Sequence, residues 1–396
     1  MCIMSPHTQK RAGHVIFIGY TEYPESSKEL FFTALEYQEE NLHARLRNRD
    51  RGFVRPLINR LAAAALLWLA LVNGAMAASS VATPVRIEVP GASNLQFFNL
   101  WVALGARYFQ REGLEPKILV APTPRATGDL LFSGQADVAL LPPPMFLGMM
   151  AESRPIRLFA SLLANEPINL IVRKDIAEAR RISLAASLPE RLHSMKGLRV
   201  GLASEVTPRL RALADGAGIN ADTDFGLVIV PGPDQLKALS DGSIDALFAH
   251  TPYLETALAE HGAVLVAEAS GGEVRELANG QIHALATTRA IASRDPELVE
   301  AVTRAIYRAQ RLIHSDPKAT VNALLASGVA RERRLTEILV AVYGAAVPQT
   351  PTISLDGIER DAILYPSHPR APDFSRVHAS DFVAPEFAER AVAPTR

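Results

Sequence analysis

The sequence predicts an α/β protein of two similar lobes, each a parallel-rich sheet flanked by helices. Two observations carry that prediction. A strand–helix–strand–helix–strand order starts at residue 85, and a second copy of the same order starts at residue 198. The copies also share a matched segment, 134–137 (GQAD) and 242–245 (GSID), each preceded by a short helical stretch and followed by an apolar strand and proline. Composition agrees: of 396 residues, 48% are hydrophobic, 21% charged and only 6% aromatic, as in an ordinary globular chain.

Taken in order, residues 85–89 (VRIEV) alternate like a strand, and 90–94 (PGASN) carry turn chemistry. Phe97, Leu100, Trp101, Leu104 and Tyr108 recur at helical spacing, which predicts one helix over 95–111, closed by Gly113. Residues 117–120 read as the second strand, 127–132 as a short helix ending at Gly134, and 137–141 as the third strand, running into Pro142, Pro143 and Pro144. In the second copy, 198–202 is a strand and Thr207-Pro208 predicts an N-cap with proline at the first helical position. That helix stops at Gly216 and Gly218; 225–230 is the next strand, 235–239 a helix, and 242–249 leads to Thr251-Pro252.

The boundaries expected from this order are 83–168 for the first part of lobe one, 169–284 for lobe two and 285–346 for a helical return to lobe one. Residues 167–172 carry the chain out and 271–286 carry it back. Asp295-Pro296 and Asp316-Pro317 are further helix starts, 331–343 is another helix, and these helices are expected to clad lobe one. Residues 347–396 read as a loop-like tail with a short helix near 385–391.

The N-terminal region has its own signature. Arg55 and Arg60 precede an unbroken apolar run, 61–72, and Ala75 and Ala77 stand at the −3 and −1 positions of a cleavage site. This is the layout of a secretory signal peptide over 54–77, and the run is too short to span a bilayer. Residues 1–53 are then a non-native or disordered extension, with a start at Val54; the competing reading is a translated extension and an uncleaved anchor. The chain's single cysteine, Cys2, lies upstream, which leaves no lipobox, disulfide framework or cysteine-based metal site in the exported part.

Several segments together resemble the nitrate/sulfonate/taurine-type substrate-binding proteins of ABC importers, whose relatives bind thiamine-pyrimidine precursors. They are 109–114 (FQREGL), 131–137 (LFSGQAD), 195–200 (MKGLRV), 241–245 (DGSID), 250–253 (HTPY) and 296–299 (PELV). The resemblance implies a type II periplasmic-binding-protein fold, with a small polar or anionic ligand enclosed between hinged lobes. It also implies export to the periplasm as a monomer and delivery to an inner-membrane permease with its ATPase.

Ligands of open α/β sheets bind beyond the carboxyl ends of strands, so the loops there supply the candidate binding residues. In lobe one these are Ser93, Asn94 and Gln96, with Pro143 and Met145 as a stiff apolar wall. Ser93 or Asn94 serves equally well as a helix cap. In lobe two they are Ser204, Thr207, His250 and Tyr253. Arg125 and Arg209 are the cations placed to meet an anion, although a solvated arginine is the commoner case. Asp137 and Asp245 are read as strand-end structure.

No catalytic residue, metal site or cofactor is assigned, because no His/Asp/Glu cluster has ligand spacing and no phosphate loop or nucleophile elbow is present. A synthase-like enzyme would need a cysteine-rich iron motif that this chain lacks. A net charge of −1 argues against a nucleic-acid partner, and docking on a membrane sensor is the alternative to a permease.

Overall fold

The structure, a computed structural model, describes residues 82–92, 94–123, 126–365 and 372–393. The signal peptide and the extension before it lie outside the described residues.

Alternation and apolar runs build ten strands: β1 (Thr83–Val89), β2 (Leu114–Val120), β3 (Val138–Leu141), β4 (Ile156–Leu163), β5 (Asn169–Val172), β6 (Arg199–Leu202), β7 (Gly226–Ile229), β8 (Ala246–Ala249), β9 (Val264–Ala267) and β10 (His283–Thr288). They form two five-stranded sheets, ordered β2-β1-β3-β10-β4 and β7-β6-β8-β5-β9. In the first, β1 pairs in parallel with β2 and β3, while β10 runs antiparallel between β3 and β4. The second repeats the pattern, with β6 parallel to β7 and β8, and β5 antiparallel between β8 and β9. In each sheet the reversed strand is the first one after a crossing between the halves. The two crossings, 164–168 and 268–282, pass side by side: Glu166 N donates to Leu277 O (3.1 Å) and Gly280 N to Ala164 O (2.6 Å).

The duplication reaches single side chains. Arg86 at the edge of β1 donates through N and Nη2 to the Asp137 carboxylate (2.9 and 2.6 Å) and through Nη1 to Gly134 O (2.9 Å). Arg199 on β6 does the same to Asp245 (2.9 and 2.7 Å) and Gly242 O (2.6 Å). Both glycines have positive φ, 75° and 77°, where a Cβ would be strained. The paired arginines hold both aspartates below the usual carboxylate range, through side-chain and backbone hydrogen bonds that outweigh their partial burial. These aspartates pin each turn to its neighbouring strand.

Four expectations are corrected. The single helix over 95–111 is a 3-10 turn, Leu95–Phe97, then Phe98–Gly105 and Tyr108–Arg111, broken where Arg107 turns left-handed (φ 57°). Just before the break, a Cβ at Gly105 would stand 1.8 Å from Ala323 O of the helix Pro317–Ala326, so the backbones touch there. Pro142–Met145 is not a loop; Pro142 is the N-cap and Pro143 the start of the helix Pro143–Ala151, where the missing N–H costs nothing. Thr207 is no N-cap, because the 3-10 turn Ser204–Val206 runs straight into the helix Thr207–Asp215 and Thr207 Oγ1 donates back to Ser204 O (2.9 Å).

The fourth correction concerns the C-terminal third. The helices Pro296–Ser315 and Pro317–Ala326 do pack on the first sheet's helices, and Arg333–Tyr343 packs on Pro317–Ala326 but also on Tyr253–Glu260 of the second half. A further helix, Leu355–Leu364, lies in the stretch read as loop, capped by Ser354 Oγ accepting from Gly357 N. The larger apolar core runs without a break from the first sheet through these helices to one face of the second sheet. No helix among the described residues is long and apolar enough to cross a membrane.

Candidate functional site

The parallel strands of both sheets deliver their carboxyl ends, and the helices that follow them, to one cavity of about 600 Å³. The first half contributes Gln96 and the helix start Pro142–Met145. The second contributes Ser204, Glu205, Val206, Arg209 and His250. The crossings contribute Glu166, Pro167, Ile168, Ile282 and His283, and the tail adds Tyr365. Prolines, Met145, Val206 and the two isoleucines make an apolar wall, and the titratable groups gather opposite.

Arg209, one turn into its helix, is only 5% exposed and faces Glu166 across 3.5 Å (Nε to Oε2). A buried charge of this kind is tolerated because it is paired. The Tyr365 hydroxyl donates to Glu166 Oε2, and its ring lies 4.3 Å beneath the Arg209 guanidinium. Burial pushes the Glu166 carboxyl up, with Arg209 and Tyr365 pulling the other way. Arg209 Nε makes no hydrogen bond but faces Glu166 at ion-pair distance, and Nη2 donates to Glu205 O (3.5 Å).

His283 opens β10, packs edge-to-face on Phe97 (ring centroids 5.0 Å apart) and leaves its buried Nδ1 without a partner. Burial, helped by the nearby His250 and Arg209, pushes its pKa down to about 3, so the ring is neutral at ordinary pH. His250 is lowered too, chiefly by burial; its Nδ1 lies 2.5 Å from Thr251 O, a bond a neutral ring can donate while Nε2 stays an acceptor. The site thus offers a paired guanidinium, two neutral imidazoles, Gln96 and Ser204 beside a stiff apolar face. That set suits a molecule with a polar or anionic head and an apolar body.

Of the residues singled out from sequence, Gln96, Pro143, Met145, Ser204 and His250 line this cavity together. Ser93 and Arg125 lie outside the described residues. Asn94 acts as a cap: its Oδ1 accepts from Gln96 N (2.9 Å) and its carbonyl accepts from Trp101 Nε1 (2.7 Å). Thr207 and Tyr253 are not part of the lining, although the Tyr253 ring lies 6.0 Å from that of His250. Arg209 is no solvated arginine. Sequence reasoning missed Glu166, His283 and Tyr365. An acid inside the apolar segment 167–172's approach was a usable signal for Glu166, whereas nothing local marks Tyr365.

Against known proteins, the model of the NMT1-like family matches residues 92–327. No curated protein matches the chain. A solved protein from Bordetella bronchiseptica RB50 is similar at TM-score 0.55 and 21% identity, over 78% of this chain and 96% of that one. The alkanesulfonate-binding protein SsuA from Xanthomonas axonopodis pv. citri, bound to MOPS, is similar at 0.51 and 15%, over 76% and 98%. The desulfurization enzyme DSZB is similar at 0.52 and 16%, over 78% and 99%. These likenesses concern the fold; the match over more than half of the sequence shows that the chain belongs to the NMT1-like family.

Proposed function

We propose that this protein is the periplasmic solute-binding component of an ABC importer, and that it encloses a small molecule with a polar or anionic head between its two sheets. The observation that carries the reading is the cavity itself, built from both halves and the crossings around a buried arginine paired with Glu166. At about 600 Å³ it is roomy for a lone inorganic anion and in the range of organic ligands. An alkanesulfonate-binding protein among the proteins of similar fold supports the same class of ligand. The signal-peptide layout over 54–77 supports export, and cleavage after Ala77 would leave the protein free of a lipid anchor. A permease with its ATPase is the partner this role requires.

The fold also serves an enzyme, so the absence of catalysis rests on the site. Its one fully buried carboxylate is committed to Arg209 and Tyr365, and no cysteine lines the cavity. Capture by closure then follows from differential contacts in the closed form. Thermal-shift and calorimetric titration of the mature protein with alkanesulfonates, carboxylates and nitrogen heterocycles tests the reading. Saturable binding of one class, lost in Arg209→Met, is expected; turnover of a bound compound would overturn it in favour of an enzyme.

A further inference from the structure

The chain from Val342 to Tyr365, the end of a helix and the segment after it, attaches to both halves. Ser161 N at the end of β4 donates to Pro351 O (2.8 Å), and Ala164 N to Ala346 O (2.8 Å). On the second half, Ser270 Oγ donates to Val342 O (2.8 Å) and itself holds Asn169, the first residue of β5. The helix Leu355–Leu364 then packs against Pro143–Ala151 of the first half and Thr207–Asp215 of the second, the two helices whose starts line the cavity.

Its contact with the return crossing is backbone to backbone. A Cβ on Gly357 would lie 2.7 Å from the Gly280 carbonyl carbon and 2.8 Å from Gln281 N, so only glycine permits the approach. Gln281 N donates to Asp361 Oδ2 (2.6 Å), Gln281 Oε1 accepts from Ser354 N (3.0 Å), and Arg360 reaches Ala278 O (2.6 Å). The helix ends at Tyr365, whose hydroxyl meets Glu166 on the outgoing crossing and whose ring carries Arg209. One helix therefore grips both crossings and finishes inside the site.

We propose that residues 348–365 form a strap holding both crossings on one flank of the cavity, and that Tyr365 is the positioning residue through which the strap orients Glu166 and Arg209 toward the ligand. Opening of the cleft must then stretch or release this strap, and the crossings are not a free hinge. The inference stands apart from the importer reading, since it needs no ligand and no permease.

The test is hydrogen–deuterium exchange on the full mature chain, comparing wild type with Tyr365→Phe, Tyr365→Ala and Gly357→Leu. Local opening shows as exchange confined to its own segment. Tyr365→Ala and Gly357→Leu are expected to speed exchange about tenfold or more in 164–168, 278–282 and 207–215, with β1 and β6 unchanged. Tyr365→Phe keeps the ring under Arg209 and is expected to restore most protection at 207–215 but not at 164–168. In nitrogen-15 spectra, the Arg209 Nε–H resonance should keep its ring-shifted position in Tyr365→Phe and lose it in Tyr365→Ala. Unchanged exchange at the crossings, or faster exchange spread evenly over both sheets, overturns the strap. An Arg209 resonance that is the same in wild type and Tyr365→Ala overturns the positioning role.

Discussion

Replacing Arg209 by methionine isolates the energetics of the site's central pair. The substitution keeps the stem's volume and removes the charge, which leaves Glu166, 2% exposed, with only the Tyr365 hydroxyl. Breaking one side of a buried pair costs about 3–5 kcal/mol when the stranded charge cannot escape. Here it can, by taking up a proton, because burial already pushes the Glu166 pKa up and the loss of Arg209 pushes it further. A carboxyl with a raised folded pKa binds more protons folded than unfolded over that window. Its penalty is therefore absent below the ordinary carboxylate range and grows as pH rises towards the folded value. Urea unfolding at pH 4.5 and pH 8 is the assay. The variant should lose about 3 kcal/mol or more at pH 8 and much less at pH 4.5, and Arg209→Met with Glu166→Gln should recover most of the loss. A deficit that is the same at both pH values would refute the reasoning, since it would mean that Glu166 does not feel Arg209.

Other expectations follow from the same structure. His283, pushed down to about 3, binds its proton only in the unfolded chain between there and its ordinary pKa near 6.5, so stability should fall as pH drops through that window. His283→Gln should flatten this acid limb of the melting curve. Asp361, raised to about 7 mainly by burial, gives the opposite slope: its contribution is present at low pH and is lost as pH rises towards 7. Asp361→Asn should therefore raise the melting temperature at pH 8 relative to pH 4, with circular dichroism as the readout. Gly105→Ala would set a Cβ 1.8 Å from Ala323 O and should cost about 3 kcal/mol in urea unfolding, against little for an exposed helix alanine.

What the sequence disclosed and what it hid divide along the reach of each interaction. Six of the ten strands were legible because alternation and apolar runs are local, as are the matched GQAD and GSID turns, whereas Ile156–Leu163 and Val264–Ala267 went unread. Gln96, Pro143, Met145, Ser204 and His250 were legible for a related reason: each follows a strand's carboxyl end, and topology brings such ends together. The broken helix at Arg107 was not legible, and the backbone contact just before it joins Gly105 to Ala323, more than two hundred residues along the chain. Thr207-Pro208 carried the right letters for a cap, but a 3-10 turn joined to the helix and used the hydroxyl elsewhere. Tyr365 had no local mark at all. Its role comes from contacts with Glu166, 199 positions away in sequence, and with Arg209.

The reversed strands explain why the crossings belong to the site. Each is the first strand after a crossing, β5 after 164–168 and β10 after 268–282, so both crossings become cavity wall. The two reversed strands open on different residues. Asn169 opens β5 and is fully engaged, its Oδ1 accepting from Ser270 N (3.0 Å) and its Nδ2 donating to Ser270 Oγ (3.0 Å). His283 opens β10 and keeps a buried nitrogen with no partner. An unpaired buried polar atom is costly, so the two reversed strands differ in how far they are satisfied: the first is closed by Ser270, and the second carries the cost at a ring that lines the cavity.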